Sequence, residues 1–304
     1  MRWEKKGLIY APAGDRWWAK GYAHLPTALP RPDGSIRVYF AALDDNKFGR
    51  IGYVDLDGDD PARVLAESAE PVLDLGELGS FEDSGVVPSS VVETPEGLRL
   101  YYHGFQRTER IPYMIFTGLA DGDAGGGTFA RRSRVPLLDR TPDEPFLRGA
   151  PCVLAEGGGY RMWYVSCTHW SETGGKLHYN NVIRHATSPD GLRWAADPVP
   201  CLEPLQPDEY SVGRPWVVRF GGEYHMWYSS RSHSQLYAIS HARSADGLTW
   251  TRDPDYGIER SPAGWDGEII CYANVIPWKG RWLMFYNGNG HGRSGFGHAV
   301  LGAA

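Results

Sequence analysis

The chain has 304 residues, a net charge of −6 and 42% hydrophobic residues. An acidic chain lacks the basic face that nucleic acids and anionic membranes require, so both are excluded as general partners. No stretch is apolar enough to cross a bilayer, and the N-terminal residues lack the apolar core of a signal peptide. We therefore expect a cytoplasmic protein whose four scattered cysteines are free thiols.

An aromatic strand recurs about every sixty residues along the chain. Its five copies end at Phe40, Tyr102, Tyr164, Tyr228 and Tyr286. Each copy follows one strand and precedes another, with Gly or Asp-Gly turns between them, which is typical of short antiparallel strands. Five repeats of this size predict an all-β fold, a five-bladed β-propeller with four strands in each blade, as a single domain over residues 1–304.

The predicted strands, in chain order, cover the following ranges: Arg2–Tyr10; Lys20–Leu29, Ile36–Asp44 and Arg50–Leu56; Phe81–Val92, Leu98–Arg107 and Met114–Ala120; Phe146–Leu154, Tyr160–Trp170 and Asn181–Ser188; Glu209–Val218, Glu223–Ser230, Tyr237–Ser244 and Leu248–Trp250; Gly264–Ile276, Arg281–Gly290 and Gly295–Leu301. The last blade lacks a fourth strand. We expect the N-terminal strand to complete it and to close the ring, which removes an exposed edge. The glycine-rich run Asp121–Gly127 is predicted to be a turn, because no helix follows it.

Large polar residues concentrate in the loops that a propeller of this kind places on one face. These loops lead into each first strand or join the second strand to the third. Three of their carboxylates, Asp44, Asp83 and Glu268, are candidates for acid and base catalysis. The alternative for Asp83 is a turn cap, and Asp266 is interpreted as part of an Asp-Gly turn.

Nine further residues of these loops are predicted to bind substrate: His24, His103, Arg148, His169, Trp170, Arg214, Arg231, Asn287 and Asn289. Arginine offers a planar fork for phosphate or carboxylate, so the arginines predict an anionic group on the ligand. The alternative for Arg148 and Arg214 is an ion pair with a neighbouring carboxylate. The indole of Trp170, in a polar loop, is typical of a platform for a sugar ring.

Three histidines on this face could together bind a metal ion. They are His24, His103 and His169, and no short-range spacing of ligands supports them as a metal site. We therefore predict no metal and no cofactor. His185, His241 and His298 recur at the same place in three blades, which favours a packing role.

The motif S-x-D-G-x-x-W occurs twice, at Ser188–Trp194 and Ser244–Trp250. Together with the aromatic second strands and the five first strands, it resembles the five-bladed propeller glycosidase superfamily, which includes arabinanases, xylosidases, invertase-like fructosidases and mannoside phosphorylases. The resemblance implies catalytic carboxylates from different blades around one central pocket. The first blade departs from that pattern, since His24 stands where the family carries an aspartate, and Asp44 in the adjoining loop is the candidate to replace that aspartate.

The residues and the resemblance together predict a glycosidase-like enzyme for a glycoside or sugar conjugate that bears an acidic or phosphate group. Carboxylate acid and base chemistry would cleave the glycosidic bond. Three alternatives stay open: a glycoside phosphorylase in which Arg148, Arg214 and His24 bind phosphate, a sugar-binding or accessory protein of glycan or natural-product biosynthesis that does not hydrolyse its ligand, and a metal-dependent enzyme. The expected partner is a small carbohydrate or sugar conjugate.

Overall fold

The computed structural model describes residues 2–205, 207–234, 236–254 and 257–302. These residues form twenty β-strands and one four-residue helical turn, so the predicted all-β class is confirmed. Within the same ranges, no helix has the length and hydrophobicity needed to span a bilayer.

The first nine strands comprise one N-terminal strand and two antiparallel sets of four. The N-terminal strand is β1 (Trp3–Tyr10). The first set holds β2 (Gly21–Pro30), β3 (Ile36–Leu43), β4 (Gly49–Leu56) and β5 (Val64–Glu67). The second set holds β6 (Gly85–Thr94), β7 (Gly97–Arg107), β8 (Tyr113–Gly122) and β9 (Phe129–Arg131).

The remaining strands complete three more sets. The third set holds β10 (Arg148–Glu156), β11 (Gly159–Thr173), β12 (Lys176–Ser188) and β13 (Ala195–Ala196). The fourth holds β14 (Glu209–Phe220), β15 (Glu223–Ser232), β16 (Ala238–Ser244) and β17 (Thr251–Arg252). The last holds β18 (Cys271–Trp278), β19 (Arg281–Asn287) and β20 (Phe296–Leu301), with the helical turn α1 (Asn289–Gly292) between β19 and β20.

Strand β1 pairs antiparallel with β20, from Trp3 opposite Leu301 to Tyr10 opposite Phe296. The N-terminal strand thus supplies the fourth strand of the last set, as the sequence predicted. The first strands of the sets contact one another in cyclic order: β2 contacts β6, β6 contacts β10, β10 contacts β14, β14 contacts β18, and β18 contacts β2. These five strands therefore surround one central region.

Each second strand carries two adjacent aromatic side chains that are almost completely buried. Successive side chains of a strand point to opposite faces, so the two rings pack against two different neighbouring sets. In the first set, Tyr39 joins a cluster with Tyr102 of the second set. The adjacent Phe40 joins a cluster with Phe285 of the last set. The aromatic repeat seen in the sequence is therefore a contact between sets.

The S-x-D-G-x-x-W motif forms a turn that is held by its own side chains. Asp190 Oδ1 accepts the backbone N–H groups of Leu192 (2.8 Å) and Arg193 (2.9 Å), and Ser188 Oγ accepts that of Gly191 (2.8 Å). The phenol of Tyr101, from the preceding set, donates to the carbonyl oxygen of Gly191 at 2.9 Å. The motif therefore joins neighbouring sets.

Two further turns, the second copy of the motif and the glycine-rich run, also accept a hydrogen bond from an aromatic side chain of the preceding set. Trp163 Nε1 donates to the carbonyl oxygen of Gly247 at 2.8 Å in the second copy of the motif. The glycine-rich run 121–127 is the predicted turn, and Tyr39 donates to the carbonyl oxygen of Gly126 there at 2.8 Å. A glycine is needed at Gly247, where φ is +76°.

We expect Asp190→Ala and Asp246→Ala each to lower the free energy of unfolding, since each removes the acceptor of two backbone N–H groups. The two losses should add in the double variant, because the turns lie in different sets. Urea unfolding measures all three values. Asp143→Ala, at an exposed position, is the matched control and should change stability by less than about 0.5 kcal/mol.

Candidate functional site

A cavity of about 480 Å³ opens where the first strands of the five sets meet. All five sets contribute residues to its lining. The charged, polar and aromatic residues among them are Tyr22, His24, His103, Phe105, Tyr113, Trp170, Tyr179, Asn181, Ser211, Arg214, Ser229, Arg231, Tyr237, Tyr272 and His291. None of the described aspartates or glutamates lines this cavity. The cavity is therefore cationic and aromatic.

Irregular backbone presents four of the lining residues to the cavity. Tyr22, Ala150, Arg214 and Tyr272 each have a positive φ of 50–68°. Each sits at a register shift of its set's first strand, in β2, β10, β14 and β18 respectively. Non-glycine residues pay a conformational cost in this region, and such strain clusters at functional sites. The strain is thus concentrated at the same position of four sets.

The guanidinium of Arg214 is buried, with only 2% of the residue exposed. Its Nη2 donates to Thr27 Oγ1 at 3.2 Å, whereas Nε and Nη1 have no hydrogen-bond partner in the described part of the chain. No described carboxylate forms an ion pair with it, and burial lowers the pKa of Arg214 to about 10. A buried charge without a partner is costly, and an anionic ligand would supply the missing acceptors.

Two histidines, the half-buried His24 and the buried His103, lie near Arg214. His24 Nδ1 donates to the carbonyl oxygen of His291, so the neutral ring keeps its Nε2 as an acceptor. Burial, opposed by this hydrogen bond, lowers the pKa of His24 to about 3. Burial, with the nearby His24 and Arg214, also lowers the pKa of His103 well below its usual value. Both rings are therefore neutral until an anion enters.

Arg231 lies among aromatic rings. Its guanidinium carbon is 4.8 Å from the ring centroid of Tyr179, 4.7 Å from that of Tyr237 and 5.3 Å from that of Tyr210. The phenol oxygens of Tyr179 and Tyr237 are 2.8 Å apart, which fixes these two rings. Cation–π contacts hold an arginine in place without neutralising its charge. Arg231 therefore adds a second positive charge to the cavity.

Aromatic rings surround the cavity in a nearly continuous belt. Neighbouring ring centroids are 5.0–6.3 Å apart from His24 through Tyr272 to Tyr237, and again from Tyr179 through Tyr113 and Phe105 to His103. The hydrogen bond between the phenols of Tyr179 and Tyr237 joins the two runs. Trp170 packs on this belt, 5.8 Å from Tyr179, and its buried Nε1 has no hydrogen-bond acceptor among the described residues. Aromatic faces and unpaired donors of this kind suit a ligand that is part apolar and part polar.

The structure brings five of the nine predicted binding residues into this cavity: His24, His103, Trp170, Arg214 and Arg231. They come from four sets and are up to about two hundred residues apart in the chain. The meeting of such distant side chains was the central geometric prediction from the sequence.

The three predicted catalytic carboxylates lie outside the cavity. Asp44 is buried in an ion pair with Arg50 (2.7 Å) and accepts two backbone N–H groups. Burial would raise the pKa of Asp44, but these hydrogen bonds lower it. Asp83 accepts the N–H of Gly79 at 2.9 Å, as in the turn-capping alternative, and the Glu268 side chain is exposed. The expectation that the three share one pocket is corrected, and their catalytic roles remain untested predictions.

Arg148 also lies outside the cavity, in a buried ion pair with Glu144 at 2.9 Å. It donates as well to the carbonyl oxygen of Asp139 at 2.6 Å. The two arginines looked equivalent in sequence, but Arg148 is three residues before Pro151, whereas Arg214 directly precedes Pro215. Only Arg214 occupies the position with the left-handed backbone, so only Arg214 is presented to the cavity.

Of the three remaining predicted binding residues, the two asparagines form hydrogen bonds with loop backbone and the histidine is exposed. Asn287 is buried, accepts the N–H of Leu25 (2.8 Å) and donates to the carbonyl oxygen of Ala23 (2.7 Å). Asn289 accepts the N–H of Glu268 at 2.8 Å. His169 is exposed and outside the cavity. Among the described residues, no group of three or more His, Cys, Asp or Glu is placed to bind a metal ion, and His169 does not join His24 and His103.

Sequence reasoning missed several lining residues, chiefly Tyr113, Tyr179, Tyr237 and Tyr272. Their rings were indistinguishable from the strand aromatics that pack between sets. A positive φ at Tyr272 follows from an irregular pairing between β18 and β19, which a sequence does not display.

We expect sulfate to bind more tightly as the pH falls from 8 to 6, by up to about tenfold per pH unit for each proton taken up. The reason is that a bound dianion favours protonation of His24 and His103, whose pKa values are low in the empty cavity. Isothermal titration calorimetry measures the slope. His24→Asn should flatten it, and His169→Asn should not. Equal affinity at all pH values in the wild type would contradict this linkage.

No family model matches the chain. Over 302 residues it is 37% identical to the uncharacterized protein Rv1502 of Mycobacterium tuberculosis (strain H37Rv), and the alignment covers 99% of each chain. The chain belongs to the Rv1502 family. A shorter similarity, 32% identity over 107 residues, relates it to the 1,2-beta-oligomannan phosphorylase of Thermoanaerobacter sp. (strain X514), covering 34% of this chain and 35% of that protein.

Solved structures place the fold of this Rv1502 family member among propeller glycosidases. A structure from the GH130 family of mannoside phosphorylases, which contains glycoside hydrolases that target β-1,2 mannosidic linkages in Candida mannan, superposes with a TM-score of 0.74 at 17% identity, covering 98% of this chain and 93% of that one. A glycosyl hydrolase from Bacteroides ovatus gives 0.75 at 17% identity, covering 98% and 93%. A thermostable family-43 glycoside hydrolase gives 0.66 at 16% identity, covering 91% and 87%. The resemblance to this superfamily is confirmed for the fold.

Proposed function

We propose that the protein is a carbohydrate-active enzyme of the glycoside phosphorylase type, which cleaves a mannoside with inorganic phosphate in the central cavity. The observation that carries this proposal is Arg214, a buried guanidinium that lines the cavity with N–H groups unpaired and no carboxylate partner in the described ranges. Arg231 adds a second positive charge, and the neutral rings of His24 and His103 line the same space. Of the three phosphate ligands predicted for this reaction, Arg214 and His24 line the cavity.

Phosphorolysis suits a cavity that no described carboxylate lines. Hydrolysis of a glycoside generally uses two carboxyl groups, one to protonate the leaving oxygen and one to attack or to activate water. In phosphorolysis a phosphate oxygen bonds to the anomeric carbon as the glycosidic C–O bond breaks, and the leaving oxygen takes up a proton. His24 and His103, which become protonated beside the bound anion, are the proton donors that we propose.

The similar proteins support a mannoside as the substrate class. The partial similarity is to a 1,2-beta-oligomannan phosphorylase, and the GH130 structure comes from a family of mannoside phosphorylases. Both kinds of protein act on β-1,2-linked mannose according to their names, so we propose a β-mannoside as the sugar donor.

The test is incubation of the purified protein with β-1,2-mannobiose, with and without inorganic phosphate. We expect mannose 1-phosphate to form only with phosphate. Turnover at the same rate without phosphate would overturn the proposal. Asp83→Asn and Glu268→Gln then test the carboxylate mechanism: hydrolysis that these variants abolish would support acid and base roles for those residues.

A sugar-binding or accessory protein is the second candidate, and the lack of any described carboxylate in the cavity lining favours it. Under this function, ligands bind without turnover, and Trp170→Ala abolishes binding. Any phosphate-dependent product formation would exclude it.

We further propose that the five sets form one closed five-bladed propeller, a single domain over residues 1–304. The cyclic contacts of the first strands and the pairing of β1 with β20 support this arrangement. A cytoplasmic location is also proposed, and the four free cysteines support it.

A further inference from the structure

We propose that the substrate carries an apolar group, an aliphatic or aromatic aglycone, which binds against one wall of the cavity. This inference rests on the proposed function for the reacting sugar and adds the chemical class of the rest of the substrate. The wall consists of Phe105, Pro112, Ile115, Leu147, Val165 and Leu177. We call this set of residues the apolar wall.

The aliphatic lining residues are concentrated on one side of the cavity. All residues of the apolar wall belong to the second and third sets or to the loops next to their strands. The opposite side, from the fourth, last and first sets, carries Arg214, Arg231, His24, His291 and two serines. Among the described residues, Leu25 is the one aliphatic lining residue on that side. His103 and Asn181 also come from the second and third sets, but both arginines lie on the other side from the apolar wall.

The third set has no polar group to offer from its first strand. The cavity-facing residues of β10 are Gly149 and Ala150, because Arg148 is held by Glu144 and the carbonyl oxygen of Asp139. Near Gly149, the side chain of Ile115 fills the space where a Cβ would lie, at 2.8 Å. The first strand of the third set therefore presents only hydrocarbon to the cavity.

A sugar alone does not suit the apolar wall. Sugar hydroxyl groups need hydrogen-bond partners once water is displaced, and an aliphatic surface supplies none. An apolar group gains from the same surface in proportion to the area that it removes from water. Leu177, at the wall, is 42% exposed without a ligand, so part of the wall is open to such contact.

The test compares methyl β-D-mannopyranoside with hexyl β-D-mannopyranoside by isothermal titration calorimetry. The two probes differ only in five methylene groups. We expect the hexyl glycoside to bind about 30-fold more tightly, which corresponds to burial of two to three of those methylenes. Equal affinities for the two glycosides, or no binding of either at millimolar concentration, would overturn the inference.

Variants of the apolar wall test whether the tighter binding of the hexyl glycoside comes from contact with that wall. Leu177→Ser and Ile115→Ser should each reduce the hexyl-to-methyl ratio at least about threefold and leave the affinity for the methyl glycoside unchanged. Both side chains are partly exposed, so neither variant is expected to unfold the protein. Leu78→Ser is the matched control, because Leu78 is 98% exposed and outside the cavity. A ratio that both wall variants leave intact would place the alkyl chain elsewhere and refute the proposal.

The result is independent of the phosphorolysis assay. Phosphate-dependent cleavage of β-1,2-mannobiose without any preference for the hexyl glycoside would keep the proposed function and reject the apolar aglycone. A strong preference that the wall variants remove, without phosphate-dependent turnover, would keep the apolar wall as a binding site and reject the phosphorylase.

Discussion

Replacement of Arg214 by methionine is expected to abolish phosphorolysis while it makes the folded protein more stable. The variant removes a buried guanidinium whose Nε and Nη1 have no partner within the part of the chain that the structure describes, so it should raise the free energy of unfolding by about 1–3 kcal/mol. It should also lower the phosphate-dependent rate by at least about 1,000-fold, since arginine donors stabilise transferred phosphate and its transition state. Urea unfolding and the rate of sugar 1-phosphate release measure the two effects.

Arg148→Met is the matched control for this prediction. It removes the 2.9 Å partner of the buried Glu144 carboxylate, which keeps Arg184 at 3.6 Å and the phenol of Tyr164 at 2.9 Å, so we expect it to lower stability by about 1–3 kcal/mol. The two arginines would then have opposite effects on stability. A loss of stability in Arg214→Met as large as that in Arg148→Met, or phosphate-dependent turnover at the wild-type rate, would show that Arg214 is a structural residue.

Acidification from pH 7 to pH 5 is expected to destabilise the protein strongly. Burial is the main cause that lowers the pKa to about 3 in His24 and His241, and to about 4 in His225, His291 and His298. These histidines are neutral when folded but titrate near 6.5 when unfolded, so their stabilisation is complete above pH 6.5 and falls as the pH drops toward the folded values.

Each such histidine contributes a slope of up to about 1.4 kcal/mol per pH unit below pH 6.5. Taken together, they should lower the melting temperature by at least about 10 °C between pH 7 and pH 5. Differential scanning calorimetry at both pH values checks this. His298→Gln should reduce the pH dependence by one histidine's share, whereas His169→Gln, at an exposed position, should leave it unchanged. A melting temperature that is constant over this range would contradict the low pKa values.

The fold was largely predictable because its signal is repeated. The aromatic pair of each second strand is required on both faces of a set, so it returns about every sixty residues. The Asp-Gly turns recur for a similar reason, since Asp190 and Asp246 each cap the same backbone N–H groups. The pairing of Trp3 with Leu301 followed from the missing fourth strand of the last set.

The site was predictable only in part, because its residues depend on local backbone that the sequence does not reveal. The prediction that loops on one face supply the binding residues was correct for His24, His103 and Trp170, which line the cavity. A shift of two residues relative to the following proline decides that Arg214 enters the cavity and Arg148 does not. The prediction that the carboxylates share the pocket was wrong for the same reason. Asp44 forms an ion pair with Arg50, and no sequence motif indicates that pairing.

The left-handed positions at Tyr22, Ala150, Arg214 and Tyr272 have a consequence for redesign. The chain turns in the same way at each of them although the side chains are large, small, charged or aromatic. The backbone conformation at these four positions thus accepts different side chains. An exchange between two of them, such as Ala150→Arg with Arg214→Ala, would move the positive charge from the fourth set to the third while the strands stay in place. The charge would then contact a different part of a ligand.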